Sequence, residues 1–145
     1  MKPFLKITFV VLLFSVCFKS NAQIGVTSYG INALGINTNT SKKLYGEIKT
    51  FANTDYDNLA FEPNVFYNLK GGEYHNFAIG LGVLINPFFD FDHVRALSIP
   101  LALNVRPLKD FQRISVLYEL TPQIGVDGDN NLRHLWGIRY TLGKK

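Results

Sequence analysis

Leu132-Arg133-His134-Leu135-Trp136-Gly137-Ile138-Arg139-Tyr140-Thr141-Leu142 is the stretch that decides the fold. Leu132, His134, Trp136, Ile138, Tyr140 and Leu142 fall on one side of an extended chain, and Arg133, Leu135, Gly137, Arg139 and Thr141 on the other. Strict alternation is the period of a β-strand, because successive side chains leave opposite faces of a sheet; a helix repeats its apolar positions three and four apart. The same period recurs upstream. Leu59 to Leu69 sets Phe61, Pro63, Val65 and Tyr67 against Glu62, Asn64, Phe66 and Asn68, and His75 to Pro87 sets Phe77, Ile79, Leu81 and Val83 against Asn76, Ala78, Gly80 and Gly82. Leu97 to Val105 and Arg113 to Ile124 follow it, and Leu44 to Ala52 does so less cleanly. Turn signals at Asn37 to Lys43, Asn53 to Asn58, Lys70 to Glu73, Pro87 to His93, Pro107 to Asp110 and Asp127 to Asn131 separate these segments. Ile24 to Asn37, rich in glycine, reads as one bent strand or two short ones, which gives seven strands or eight.

Strand length and the two faces carry the argument further. Ordinary strands run about five or six residues, whereas a membrane-crossing strand needs about 9 to 11. Five segments here reach the longer figure. The residues from Gln23 onward allow about 15 per strand and turn for eight strands, which suits the smallest membrane barrels. One face carries Glu47, Lys49, Glu62, Arg106, Arg113, Glu119, Arg133 and Arg139 among Asn64, Asn68, Asn104 and Gln123. In a soluble sandwich these would face water. In an eight-stranded barrel they would point inward and pair, because the interior is just wide enough for side chains to fill. Ala78, Gly80 and Gly82 would then make room for the arginines. The opposite face is Leu, Ile, Val and aromatic, suited to hydrocarbon, with Tyr and Trp expected near strand ends as interfacial girdles. Pro63, Pro100 and Pro122 fall inside strands and each requires a bulge or a strand end. Seven strands would leave the termini on opposite sides, so the reading needs Ile24 to Asn37 to supply another crossing.

The first 22 residues read as an address. Met1 to Lys6 is basic, Ile7 to Phe18 is uncharged and apolar, and Ser20-Asn21-Ala22 places small residues before a cut ahead of Gln23. That order defines a secretory signal peptide, and its apolar run is shorter than the roughly 20 residues of a membrane helix. The domain is then 23–145. The whole chain of 145 residues carries +4, but Lys2, Lys6 and Lys19 lie in the leader and every acid lies after it, so the rest is nearly neutral. Balanced charge with no like-charged run argues against a nucleic-acid partner. The single cysteine, Cys17, also lies in the leader, so no disulfide framework is expected.

On these residues the chain resembles the small outer-membrane β-barrels of Gram-negative bacteria, most closely the short Bacteroidetes-type barrels of uncharacterised function. Many such barrels end in an assembly signal with Gly, aromatic and hydrophobic residues at fixed spacing, which Gly137, Tyr140 and Leu142 match. Leu135 departs from it where a polar residue is usual, and Gly143-Lys144-Lys145 extend beyond it. The resemblance implies an outer-membrane location, with outer-membrane lipid, periplasmic chaperones and the barrel-assembly machinery as partners.

Chemistry is sparse. His75, His93 and His134 are too dispersed for a metal cluster, and His134 beside Trp136 reads as an interfacial polar tip. Asp127-Gly128-Asp129-Asn130-Asn131 begins like a calcium loop but lacks the glycine at its sixth place and the acid at its twelfth, so it reads as a turn. No serine or cysteine has a neighbouring histidine, so no catalytic site, metal or cofactor is expected. Phe88-Phe89-Asp90-Phe91-Asp92-His93 is the candidate contact loop, since exposed aromatics tend to mark interaction sites. The sequence therefore predicts an all-β, antiparallel up-and-down transmembrane barrel of eight strands, non-enzymatic, with a structural or interaction role and a closed, charge-networked interior. A soluble periplasmic barrel holding an apolar ligand is the alternative, and a lipid-modifying outer-membrane enzyme a more distant one.

Overall fold

The computed structural model describes residues 23–30, 32–52, 59–87 and 94–142. Residues 1–22, expected from the sequence to be a signal peptide, and the 88–93 connection lie outside the described residues. Nine strands are present: β1 (Ile24–Tyr29), β2 (Ala33–Asn37), β3 (Leu44–Phe51), β4 (Ala60–Gly71), β5 (His75–Ile85), β6 (Val94–Ser98), β7 (Leu101–Val105), β8 (Ile114–Gly125) and β9 (Asn130–Leu142), with no helix among the described residues. Every pairing is antiparallel, and β9 returns to β1, with Ile24 opposite Leu142 and Tyr29 opposite Gly137. β6 and β7 both pair with β5 on one side and β8 on the other, so they are two halves of one stave. The nine strands thus build a closed up-and-down barrel of eight staves. The Ile24 to Asn37 segment folds as the β1–β2 hairpin, and the even number puts Ile24 and Leu142 at the same end.

The prolines explain why one stave is divided. Pro100 lies in the gap between β6 and β7, and Pro122 lies across from that gap on β8. Each proline lacks a donor but keeps its acceptor: Gly80 N–H donates to Pro100 O at 2.7 Å and Ile99 N–H donates to Pro122 O at 3.0 Å. Two missing donors are thereby concentrated in one interruption. Pro63 faces outward within β4 and, against expectation, sits at neither a bulge nor a strand end: the β4–β5 register is the same at Phe61–Ile85 and Asn64–Gly82, and the ladder shifts only between Asn68 and Lys70.

The barrel is strongly staggered. Directly opposed partners run Gly25, Asn37, Glu47, Asn64, Gly82, Ser98, Gln123 and Asn131, yet Gly25 itself opposes Thr141, ten residues further along β9. With usual strand spacing and rise, that offset over eight strands tilts them by about 40°. One consequence is an oblique rim. β1 stops at Tyr29, whereas β9 continues past Gly137 to Asn130 beside β8. Trp136 is therefore mid-strand in β9 but at the lip of the short hairpin, its indole against Gly30, whose N–H donates to Trp136 O. Tyr67 and Tyr140 face outward near the end that holds the termini, opposite Leu44 and Ile114, while Trp136 and Tyr118 oppose each other higher on the wall. Among the described residues the second pair is thus set away from the ends of β8 and β9.

Alternation along every strand sorts the side chains. Outward rows such as Leu34 and Ile36, Val65 and Tyr67, Ile79 and Leu81, and Ile138 and Tyr140 are exposed, while their alternates are buried inside. Several boundaries differ from the turn composition. Lys70 and Gly71 continue β4, and Asn130 and Asn131 begin β9, because the hairpin ladders extend to Gly71–Asn76 and Ile124–Asn130. The former calcium-like loop is a tight turn, with Gly128 at φ 87° and Gly125 N–H donating to Asp129 O at 2.9 Å. Gly80 and Gly82 do not make room for arginines. A Cβ on Gly80 would meet the Phe66 ring and Pro100, and one on Gly82 would meet Asn64 and Ser98.

Candidate functional site

The chemistry-bearing side chains meet inside the barrel in two clusters. In the first, Arg139 on β9 reaches across the lumen to Glu47 on β3, with Nη2 3.0 Å from both carboxylate oxygens. Its Nε donates to Thr27 Oγ1 at 2.7 Å, and the Tyr29 hydroxyl donates to Glu47 Oε1 at 2.7 Å. In the second, Lys49 Nζ stands 2.5 Å from Glu119 and 3.4 Å from Glu62. Arg133 Nη2 contacts both oxygens of Glu62, at 2.8 and 2.7 Å, and lies 3.9 Å from Glu119. Thr121 and Asn64 add hydrogen bonds to Glu119 and Glu62. The two clusters together hold three carboxylates and three cations, which is what a buried network needs if no charge is to stand alone.

Aromatic and apolar side chains pack among these charges. Tyr29, Tyr45, Phe66, Leu117 and Leu135 point inward with Ala33, Ala78 and Ala102. Tyr45 and Phe66 stack at 4.9 Å, and Lys49 Nζ lies 5.4 Å above the Phe66 ring and 5.9 Å from that of Tyr29. Gly35 admits this arrangement, since a Cβ there would approach the Glu47 carboxylate to 2.5 Å and the Tyr29 ring to 3.0 Å. The signal was available: Tyr45, Phe66, Leu117 and Leu135 all share parity with the charged residues. Near the other rim Arg133 covers Phe51 at 4.6 Å.

Two of the charges assigned to this network lie elsewhere. Arg106 has the inward parity but sits beyond the end of β7, half-buried at the barrel's mouth. Its Nη1 donates to Glu73 O at 3.0 Å, and its Nη2 lies 3.5 Å from Ser41 Oγ. Arg113 precedes β8 and is exposed in the turn. Alternation fixes a face but not where a strand stops. At the same mouth the β2–β3 turn tucks Thr40 inward, its carbonyl accepting from Asn68 Nδ2 at 2.8 Å and Asn76 Nδ2 at 3.3 Å.

Of the assembly-signal residues, Gly137 faces inward under the Tyr29 ring, while Tyr140 and Leu142 are exposed on the outer wall. The Phe88–His93 loop lies outside the described residues. His75 and His134 both face outward, and no group of three metal-ligating side chains occurs among the described residues.

Thr27→Val tests one joint of the first cluster. It keeps the shape but leaves Arg139 Nε without its acceptor, and is expected to lower unfolding free energy by about 2 kcal/mol, read from a urea titration of the folded barrel.

No family model, curated protein or solved structure matches this chain. Its functional reading therefore stands on its own geometry.

Proposed function

We propose that this chain is an integral outer-membrane barrel of a Gram-negative cell envelope, with a structural or interaction role and a lumen closed by its own charge network. The observation that carries this is the inversion of polarity. The outer wall presents Leu34, Ile36, Leu81, Leu103, Ile138 and Leu142 to the surroundings, while Glu47, Lys49, Glu62, Glu119 and Arg139 are buried inside. A protein in water buries the first set and exposes the second; a barrel in hydrocarbon does the reverse. The continuous backbone pairing from β1 round to β9 also suits a lipid environment, where unpaired peptide groups are costly. The filled, charged lumen weighs against an apolar ligand held inside a soluble barrel. The engagement of all three buried carboxylates by cations favours scaffolding over catalysis. Even strand parity puts Ile24 and Leu142 at one end of the barrel, which in this reading is the periplasmic one.

The test is fractionation of the expressed full-length chain, followed by electrophoresis with and without boiling. Extraction only by detergent, with faster migration of the unboiled sample, is the expected result. Freely soluble protein in the periplasmic extract would overturn the reading.

A further inference from the structure

At the end of the barrel that holds the termini, Thr40, Ser41, Arg106, Lys109, Phe111 and Arg113 line a cavity of about 350 Å³. Three of these residues are cationic, and the cavity's single carboxylate is Asp110. Among the described residues no carboxylate lies within ion-pair distance of Arg106, Lys109 or Arg113. Arg106 is the telling member. Its guanidinium is half-buried and its hydrogen bonds go to neutral oxygens, the Glu73 carbonyl and the Ser41 hydroxyl. Burial pushes it below the usual arginine range, and the charge of Arg139 adds to the effect. Inside the lumen every cation of the network has a carboxylate; here Asp110 lines the cavity without pairing with any of the three cations. An unpaired, partly desolvated cation is costly, so an incoming anion gains more here than at an open surface.

We infer that this cavity binds a phosphate group. A phosphate group is rich in acceptor oxygens and carries up to two charges near neutral pH, which matches an arginine fork, a second arginine, a lysine and the hydroxyl-bearing turn at Thr40 and Ser41. A volume of this size holds a phosphate with part of the molecule that bears it. The same loop exposes Leu108 and Phe111 beside Lys109 and Arg113, at the edge of the apolar wall. A phospholipid headgroup whose chains lie along that wall and a free phosphate ester both have the required chemistry. The inference does not rest on the membrane reading, because the cavity is lined outside the strands except at Thr141, near the end of β9, and is open to titration in nonionic micelles or in buffer.

Two arms separate the sources. Inorganic phosphate and glycerol 3-phosphate are titrated by calorimetry into the full chain. In parallel, native mass spectrometry is run from micelles doped with phosphatidylglycerol, with diacylglycerol as the phosphate-free control. Arg106→Gln is one variant. Lys109→Gln/Arg113→Gln, confined to the turn, is a second that spares the strands. Saturable binding of the free phosphates, weakened at least tenfold by both variants, supports the site with a soluble ligand. Retention of one phosphatidylglycerol but no diacylglycerol, lost in both variants, supports it with a lipid ligand. Absence of both signals, or equal signals in wild type and variants, overturns it.

Discussion

Lys49→Met is expected to remove about 3–5 kcal/mol of stability, the cost of stripping one partner from a buried ion pair. Lys49 is fully buried, and its Nζ lies between Glu62 and Glu119, which are buried as well. Methionine has a similar length and can keep the stem's contacts with the Phe66 and Tyr29 rings, so the loss should be electrostatic and not a packing defect. The two carboxylates are then left with Arg133, which contacts Glu62 at 2.7 Å but approaches Glu119 only to 3.9 Å. Glu119 becomes a buried charge with one distant cation. The double variant Lys49→Met/Glu119→Gln removes that charge and leaves the Glu62–Arg133 pair intact, so it should recover more than half of the loss. Urea midpoints of the folded barrel, followed by the shift between boiled and unboiled bands, measure both. A single variant as stable as wild type would show that the ion pairs of Lys49 contribute nothing to holding the barrel. A double variant no better than the single would place the loss in packing.

The contrast between what the residues announce and what they hide has a physical basis. A period of two is local, so Ile138 and Tyr140 could be put on one face and Arg139 on the other without knowing any partner. Partner choice is not local. Glu47 and Arg139 meet because the ten-residue stagger brings β3 and β9 to facing positions across the lumen, and stagger is a property of the closed sheet. Strand ends are no better encoded by alternation. Arg106 and Arg113 keep the inward parity yet lie in the 106–113 connection, where the wall no longer encloses them. The inward aromatics are legible by parity but not by polarity: Phe66 alternates in step with Glu62, Asn64 and Asn68, so the face it shares is not uniformly polar. The prolines, counted singly, looked like three separate defects. Pro100 and Pro122 instead share one gap, and only the pairing of β6 and β7 with β8 reveals that.

Gly137→Ala is expected to cost about 3 kcal/mol and to impair barrel closure in the absence of any cellular machinery. An alanine Cβ would lie 2.6 Å from the Ser28 carbonyl oxygen and 3.1 Å from the Tyr29 ring. Ser28 O is backbone of β1, and β1 pairs with β9 at the seam where the barrel shuts, so relief requires the closing ladder itself to move. Gly82→Ala is the natural control. It crowds Asn64 and Ser98, side chains that can turn aside, and should cost less. Tyr140 and Leu142 offer the opposite contrast, because they are exposed on the outer wall and touch no such seam contact through a missing side chain. Tyr140→Ala and Leu142→Ala should refold from urea into micelles nearly as wild type does, yet accumulate poorly in cells if the last strand is read by an assembly machinery. Gly137→Ala should fail in both settings. Normal refolding of Gly137→Ala in micelles, with a defect confined to cells, would assign the glycine to recognition and not to closure. The pattern of these three positions thus separates the part of the last strand that shuts the barrel from the part displayed on its surface.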